Sequence, residues 1–233
     1  MRIIKYDRSI IPACDVKNLE ELKKLIKQTH DIKKIGGYKI GFALALTYGL
    51  PNVVKVIREF TDLPIIYDHQ KAGTDIPDTG GKFAEVCKNA GVDAVIIFPQ
   101  SGPVTEEAWI KDCQYEGLTV IIGGEMTHLK FKKSDGGFID DSALDEIYLI
   151  AAKLGVNNFV VPGNKPDRIK HYRSLLEKKV KDLTFFAPGF VAQGGEITEA
   201  AKTAGKSWHA IVGRAIYDAK DIKKAAEEMT SKL

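Results

Sequence analysis

Short apolar, β-branched runs recur along the chain at Ser9–Asp15, Gly37–Phe42, Pro64–His69, Val92–Phe98, Leu118–Glu125, Asn157–Val161, Leu183–Ala187 and His209–Gly213. Between them the apolar positions switch to helical spacing, as in Leu19, Leu22, Leu25 and Ile26, or Phe83, Val86, Cys87 and Ala90. Pro51 stands near the start of the second predicted helix and Pro166 in the first turn of the sixth, where a missing N–H does no harm. Strands and helices alternating eight times, at a step of roughly 25 to 30 residues, predict an α/β fold, a (β/α)8 TIM barrel. A doubly wound open sheet is the alternative. It favours a glycine-rich turn after the first strand, whereas Asp15-Val16-Lys17-Asn18 stands there. No linker or low-complexity segment divides the chain, so a single domain over residues 1–233 is expected. The stretch from Met126 to Asp141, with Lys130, Lys132, Lys133 and the pair Gly136-Gly137, reads as a long structureless loop, a lid or binding loop or a merely mobile one.

Composition narrows the classes without choosing among enzymes. Hydrophobic residues make up 44% and charged residues 28% of the chain, enough for a sizeable core. The net charge of +3 is small beside 34 basic and 31 acidic residues, and the lysines lie on repeated helical faces, so no nucleic-acid partner is expected. The cysteines, Cys14, Cys87 and Cys113, are odd in number and far apart, with no CxxC pair. Neither a disulfide framework nor a zinc cluster is supported. With no basic-then-apolar leader and no apolar run of about 18 residues, the expectation is a cytoplasmic protein with no membrane partner.

In a barrel of this kind the chemistry gathers where strands end. Those ends carry Asp15, Lys39, Asp68, Glu125, Gly163, Gly189 and Gly213-Arg214. In Gly37–Phe42 alternation gives Lys39 one face with two glycines, and Tyr38, Ile40 and Phe42 the other. Lys39 therefore faces the barrel axis. An inward lysine needs an acid, and Asp68 on the next strand is the expected mate. A structural ion pair is the bland reading of those two alone. Lys71 and Asp75 add two more alternating charges to the same mouth, which stability alone does not call for. At the last two strand ends, Ala187-Pro188-Gly189 leads to Gln193-Gly194-Gly195-Glu196, where a helix is expected to begin, and Gly213-Arg214 follows. Glycines that admit backbone amides, a helix N-terminus and an arginine together predict a phosphate site. His69, His128 and Glu125 lack the HxH or HxxxH spacing of a metal site, and Trp109 and Trp208 read as packing residues. No Gly-x-Ser-x-Gly elbow or Walker lysine occurs.

These motifs resemble the orotidine 5′-monophosphate decarboxylase family, especially its short archaeal-type members. The likeness runs through Ala13-Cys14-Asp15-Val16, Tyr38-Lys39-Ile40-Gly41, Asp68 to Thr79, Glu125-Met126-Thr127-His128, Val161-Pro162-Gly163, Ala187-Pro188-Gly189, Gln193-Gly194-Gly195 and Val212–Tyr217. It implies decarboxylation of orotidine 5′-monophosphate to uridine 5′-monophosphate in pyrimidine synthesis, with no metal or organic cofactor. By motif, Asp15 would bind ribose hydroxyls, and Lys39 would pair with Asp68 and reach the ribose. Asp68 would crowd the substrate carboxylate, and Lys71 would donate a proton to C6. Asp75, Ile76 and Thr79 would enter the partner's site in a homodimer. Thr127 stands where the family usually has a serine contacting the pyrimidine. Gln193, Gly213 and Arg214, with Pro188 and Gly194 beside them, would hold the phosphate end. The spacing departs from the family's Asp-x-Lys-x-x-Asp, because here it is Asp68-x-x-Lys71-x-x-x-Asp75. His69 is the alternative occupant of the first acid's position; Asp68 is preferred because it shares strand parity with Ile66. A second departure is Leu129-Lys130-Phe131, where the family loop often has Pro-Gly. The competing functions are a magnesium aldolase like 3-hexulose-6-phosphate synthase and a non-catalytic barrel that binds nucleotide phosphates.

Overall fold

The computed structural model describes residues 2–69, 74–190 and 196–233. Its strands are β1 (Arg8–Pro12), β2 (Tyr38–Ile40), β3 (Ile65–Asp68), β4 (Ala94–Ile97), β5 (Thr119–Gly123), β6 (Asn158–Val160), β7 (Thr184–Pro188) and β8 (Ser207–Val212). All pair in parallel, β2 with β3 and so on to β8, and β8 returns to β1. The last seam, β1 against β2, closes through the isolated bridges Ile10 to Ile35 and Ala13 to Lys39. There the Cys14 N–H donates to the Lys39 carbonyl at 2.8 Å. This is the (β/α)8 barrel that the alternation predicts.

Strand periodicity divides the core in two. Ile66, Ile96, Ile121, Val160, Phe186 and Ile211 point to the barrel axis, and Ile3, Ile4 and Tyr6 from the N-terminal segment pack against that cluster. Tyr67, Val95, Ile97, Ile122, Phe159 and Phe185 point outward and pack in the larger cluster with the helices. At the N-terminal end of the barrel, Ser9 Oγ lies 2.8 Å from Nδ1 of the buried His209. Burial, then the charge of Arg2, depresses that imidazole's pKa to about 3, so the ring stays neutral where it is packed. The expected packing roles of Trp109 and Trp208 hold, since both are buried. The three cysteines are buried free thiols.

The helical layer differs from the eight helices expected. Among the described residues there are ten α-helices: α1 (Leu19–Thr29), α2 (Phe42–Tyr48), α3 (Leu50–Arg58), α4 (Gly80–Ala90), α5 (Pro103–Tyr115), α6 (Asp141–Lys153), α7 (Pro166–Leu176), α8 (Ile197–Thr203), α9 (Arg214–Tyr217) and α10 (Ile222–Ser231). The second crossover splits at Gly49, whose φ of +77° ends α2, and Pro51 sits in the first turn of α3. After β8, the short α9 precedes the covering helix α10. Strand β2 stops at Ile40, so Phe42 does not join Tyr38 and Ile40 in the outer core as alternation suggests. It opens α2, is 49% exposed and turns to the barrel mouth.

The segment from Met126 to Asp141 is likewise not structureless. Lys132 bridges to Ile139, a 3-10 turn spans Lys133–Asp135, and Ser134 Oγ donates to Asp141. Lys132 and Lys133 pair with Asp141 and Asp140 at 3.3 and 3.2 Å. Lys132 and Lys133 are thus occupied locally. No helix among the described residues is long and apolar enough to cross a membrane.

Candidate active site

Lys39 is the centre of the mouth. It stands in the middle of β2 on the inward face, and its side chain is nearly buried. Its Nζ lies 3.2 Å from Asp68 Oδ2 at the end of β3 and 3.5 Å from Asp15 Oδ1 beyond β1. Burial is the largest single influence on this amine and favours its neutral form. The charges of Asp68 and Asp15, with the Asp68 hydrogen bond, outweigh it and hold Lys39 above the usual lysine range. Gly41 permits this gathering, because a Cβ there would lie 2.3 Å from Asp15 Oδ1. The second oxygen of Asp68, Oδ1, is buried without a hydrogen-bond partner among the described residues. An acceptor left bare in this way costs about 1–3 kcal/mol or more when charged.

The parity of β3 decides between Asp68 and His69. Asp68 turns to Lys39, as Ile66 turns to the inner core. His69 turns outward: its Nδ1 lies 3.0 Å from the Tyr67 hydroxyl, and its ring packs against Phe83 of α4, with centroids 4.8 Å apart. Burial lowers the His69 pKa, and the Asp68 charge opposes that only in part.

A cavity of about 290 Å3 opens over these groups. Asp15, Lys39 and Asp68 line it, together with Pro188, Gly189, Gly213 and Arg214. Arg214 is exposed and has no ion pair among the described residues. Of the predicted strand ends, Asp15, Lys39, Asp68, Gly189 and Gly213-Arg214 therefore line one cavity, and Glu125 and Gly163 do not. Phe42, Ile96, Phe98, Phe190 and Tyr217 also line the cavity and were not among the site residues expected from sequence. Tyr217 carried the one available signal, its place four residues after Gly213. Burial, then Asp15, raises its phenol pKa.

Lys71, Gln193 and Gly194 fall outside the described residues. Asp75 and Ile76 are exposed and do not line this cavity. The turn they form is fixed by its carbonyl: that of Ile76 accepts from Trp109 Nε1 at 3.1 Å and from the Thr79 hydroxyl at 2.8 Å. Thr127 is half-buried and does not line the cavity either. Glu125, one of the strand-end acids, is a clear departure. The chain leaves β5 at Gly123-Gly124, and the Glu125 carboxylate turns away from the axis into the side chains of Lys165, Arg168 and Tyr172. The paired arginine and tyrosine, four apart on α7, were the signal that could have found it. Among the described residues no three His, Cys, Asp or Glu side chains are grouped as a metal site requires.

The whole chain has relatives. Residues 8–229 match the model of the Orotidine 5′-phosphate decarboxylase / HUMPS family. A protein of Methanosarcina mazei named orotidine 5′-phosphate decarboxylase is 32% identical over 96% of this chain and 94% of its own length. One of the same name from Pyrococcus abyssi is 30% identical over 96% of this chain and 98% of its own. Among solved structures, orotidine 5′-monophosphate decarboxylase of Methanocaldococcus jannaschii, complexed with inhibitor BMP, superposes with a TM-score of 0.84 at 26% identity, covering 97% of this chain and 98% of that one. The enzyme of Pyrococcus horikoshii OT3 gives 0.78 at 30% identity, over 96% and 98%. With its full barrel, its mouth of alternating charges and this match along nearly its entire length, the chain belongs to the Orotidine 5′-phosphate decarboxylase / HUMPS family.

Proposed function

We propose that this protein is a lyase that decarboxylates orotidine 5′-monophosphate to uridine 5′-monophosphate in pyrimidine biosynthesis, acting as a single barrel domain. The observation that carries the reading is Lys39 held between Asp15 and Asp68, in one cavity with Gly213 and Arg214, in a chain whose relatives bear that enzyme's name. The phosphate would sit at Arg214 and the neighbouring amides of Gly213, with Pro188, Gln193 and Gly194 around it. Asp15 and Lys39 would meet the ribose, and Thr127 the pyrimidine.

The chemistry follows from where charge develops. The bond from C6 to the carboxyl carbon breaks, carbon dioxide leaves, and the electron pair stays on C6. Asp68 presents a carboxylate with one oxygen unpartnered among the described residues, so a second anion beside it is destabilised. Binding of the remote phosphate can offset that contact, and the repulsion vanishes as the charge leaves the carboxyl group. The Lys71 ammonium, three residues after Asp68, would stabilise the C6 anion and donate the proton that forms the new C–H bond. Preorganised charge of this kind is usually the largest catalytic contribution, and neither metal nor organic cofactor is needed for it.

A homodimer would complete the site. Asp75, Ile76 and Thr79 sit on a turn facing away from their own cavity, with Ile76 57% exposed, as fits residues that serve a second subunit. The test is Lys71→Ala. Turnover should vanish while uridine 5′-monophosphate still binds. Near-normal turnover by that variant would remove Lys71 from its assigned role.

A further inference from the structure

Glu125 has no part in the chemistry above, yet its surroundings are built with care. Its carboxylate has no solvent exposure. Lys165 Nζ lies 3.2 Å from Oε1, while Arg168 Nε at 2.6 Å and the Tyr172 hydroxyl at 2.7 Å donate to Oε2. Burial, the largest single influence, pushes its pKa up, but the donors and cations together hold it below the usual range.

The same cluster grips the backbone. Lys165 also donates to the Met126 carbonyl at 2.9 Å, and Asn164 Nδ2 donates to the Thr127 carbonyl at 3.2 Å. The Tyr148 hydroxyl accepts from the N–H groups of Gly124 and Glu125 at 3.1 and 3.4 Å and donates to the Val160 carbonyl at 2.7 Å. Each residue from Gly124 to Thr127 is therefore held by a side chain from α6, from α7 or from the turn before α7. Met126 is packed against the inner barrel cluster as a result. A carboxylate that only satisfied α7 would have no need of a lysine shared with a loop carbonyl.

We infer that Glu125 is a positioning residue for base recognition, which through Lys165 fixes the Met126-Thr127 backbone and so sets where Thr127, which does not itself line the cavity, stands relative to the base. The inference rests on the pyrimidine role proposed for Thr127. Lys165 is the coupling element, because one ammonium spans the buried acid and the loop carbonyl. Loss of either end loosens the Met126 carbonyl, with Tyr148 and Asn164 still on its neighbours, while the phosphate side of the cavity, formed by β7 and β8, stays intact.

The test compares ligands with and without the base. Binding of uridine 5′-monophosphate and of ribose 5-phosphate is measured by calorimetry on the intact protein, with KM and kcat for orotidine 5′-monophosphate. In Glu125→Gln, uridine 5′-monophosphate should bind roughly tenfold more weakly, with KM rising more than kcat falls, while ribose 5-phosphate changes less than about twofold. Lys165→Met leaves Arg168 and Tyr172 on the carboxylate and removes the contact with Met126, so it should show the same selective loss even if Glu125→Gln fails to fold. Equal losses for both ligands, or a wild-type profile in Lys165→Met, would overturn the inference. A wild-type protein that does not turn over orotidine 5′-monophosphate would instead sink the functional reading, which separates the two failures.

Discussion

Asp68 and Glu125 are both buried carboxylates that follow barrel strands, and they have opposite surroundings. Glu125 is fully enclosed, with three side-chain donors from the helical layer. Asp68 is buried at the cavity with Lys39 on one oxygen and, among the described residues, nothing on the other. Burial alone does not separate a structural acid from a reactive one. The direction of the side chain does: Asp68 turns into the cavity beside Lys39, and Glu125 turns into the helical layer.

Substituting both acids should break the comparison most sharply. Asp68→Asn is expected to cut turnover by about a thousandfold or more, since it removes charge at the reacting carboxyl. Its stability should change by less than about 1 kcal/mol, because the lost Lys39 pairing is offset by relief of a buried charge with one oxygen bare among the described residues. Glu125→Gln should cost about 2–4 kcal/mol of stability, as expected when a buried ion pair loses its acid. Denaturant midpoints and steady-state rates on the two variants would read both effects. If Asp68→Asn proves the more destabilising, the assignment of roles is reversed.

A third buried acid sharpens the point through pH. Glu106 on α5 has neither oxygen hydrogen-bonded among the described residues, and burial, then the charge of Glu107, raises its pKa to about 8. It lines a separate pocket between α5 and α6 together with Asp140 and Glu146. Its folded pKa is raised, so its contribution to stability is present below the unfolded value of 4.5 and is lost as pH rises through about 8. Glu125, with a lowered pKa, contributes above the unfolded carboxylate range and loses that contribution on acidification. Between these limits, the Glu106 contribution should slope at up to about 1.4 kcal/mol per pH unit. Glu106→Gln should flatten the stability profile from about pH 5 to pH 8. An unchanged slope would mean that this carboxyl has solvent or a partner after all.

The barrel was legible because strand runs and helical runs alternate eight times at a step that suits it. Lys39 was legible from alternation within one strand: with glycines at 37 and 41, only one face of β2 could be the axis. What alternation could not give was the point at which it ceases. Reading β2 on to Phe42 and β5 on to Glu125 carried the strands past their ends at Ile40 and Gly123, which put Phe42 on the wrong face and Glu125 at the mouth. The loop before α6 was misread because its order comes from pairs such as Lys132 with Asp141, which no periodicity reveals. Asp68 escaped this error, since β3 keeps its pairing through that residue.

The measurement that bears most directly on the central claim is release of labelled carbon dioxide from carboxyl-labelled orotidine 5′-monophosphate by the wild-type protein, with a chelator present. The account predicts steady release, with uridine 5′-monophosphate formed in equal amount. No release, or release only when a divalent metal is restored, would contradict it.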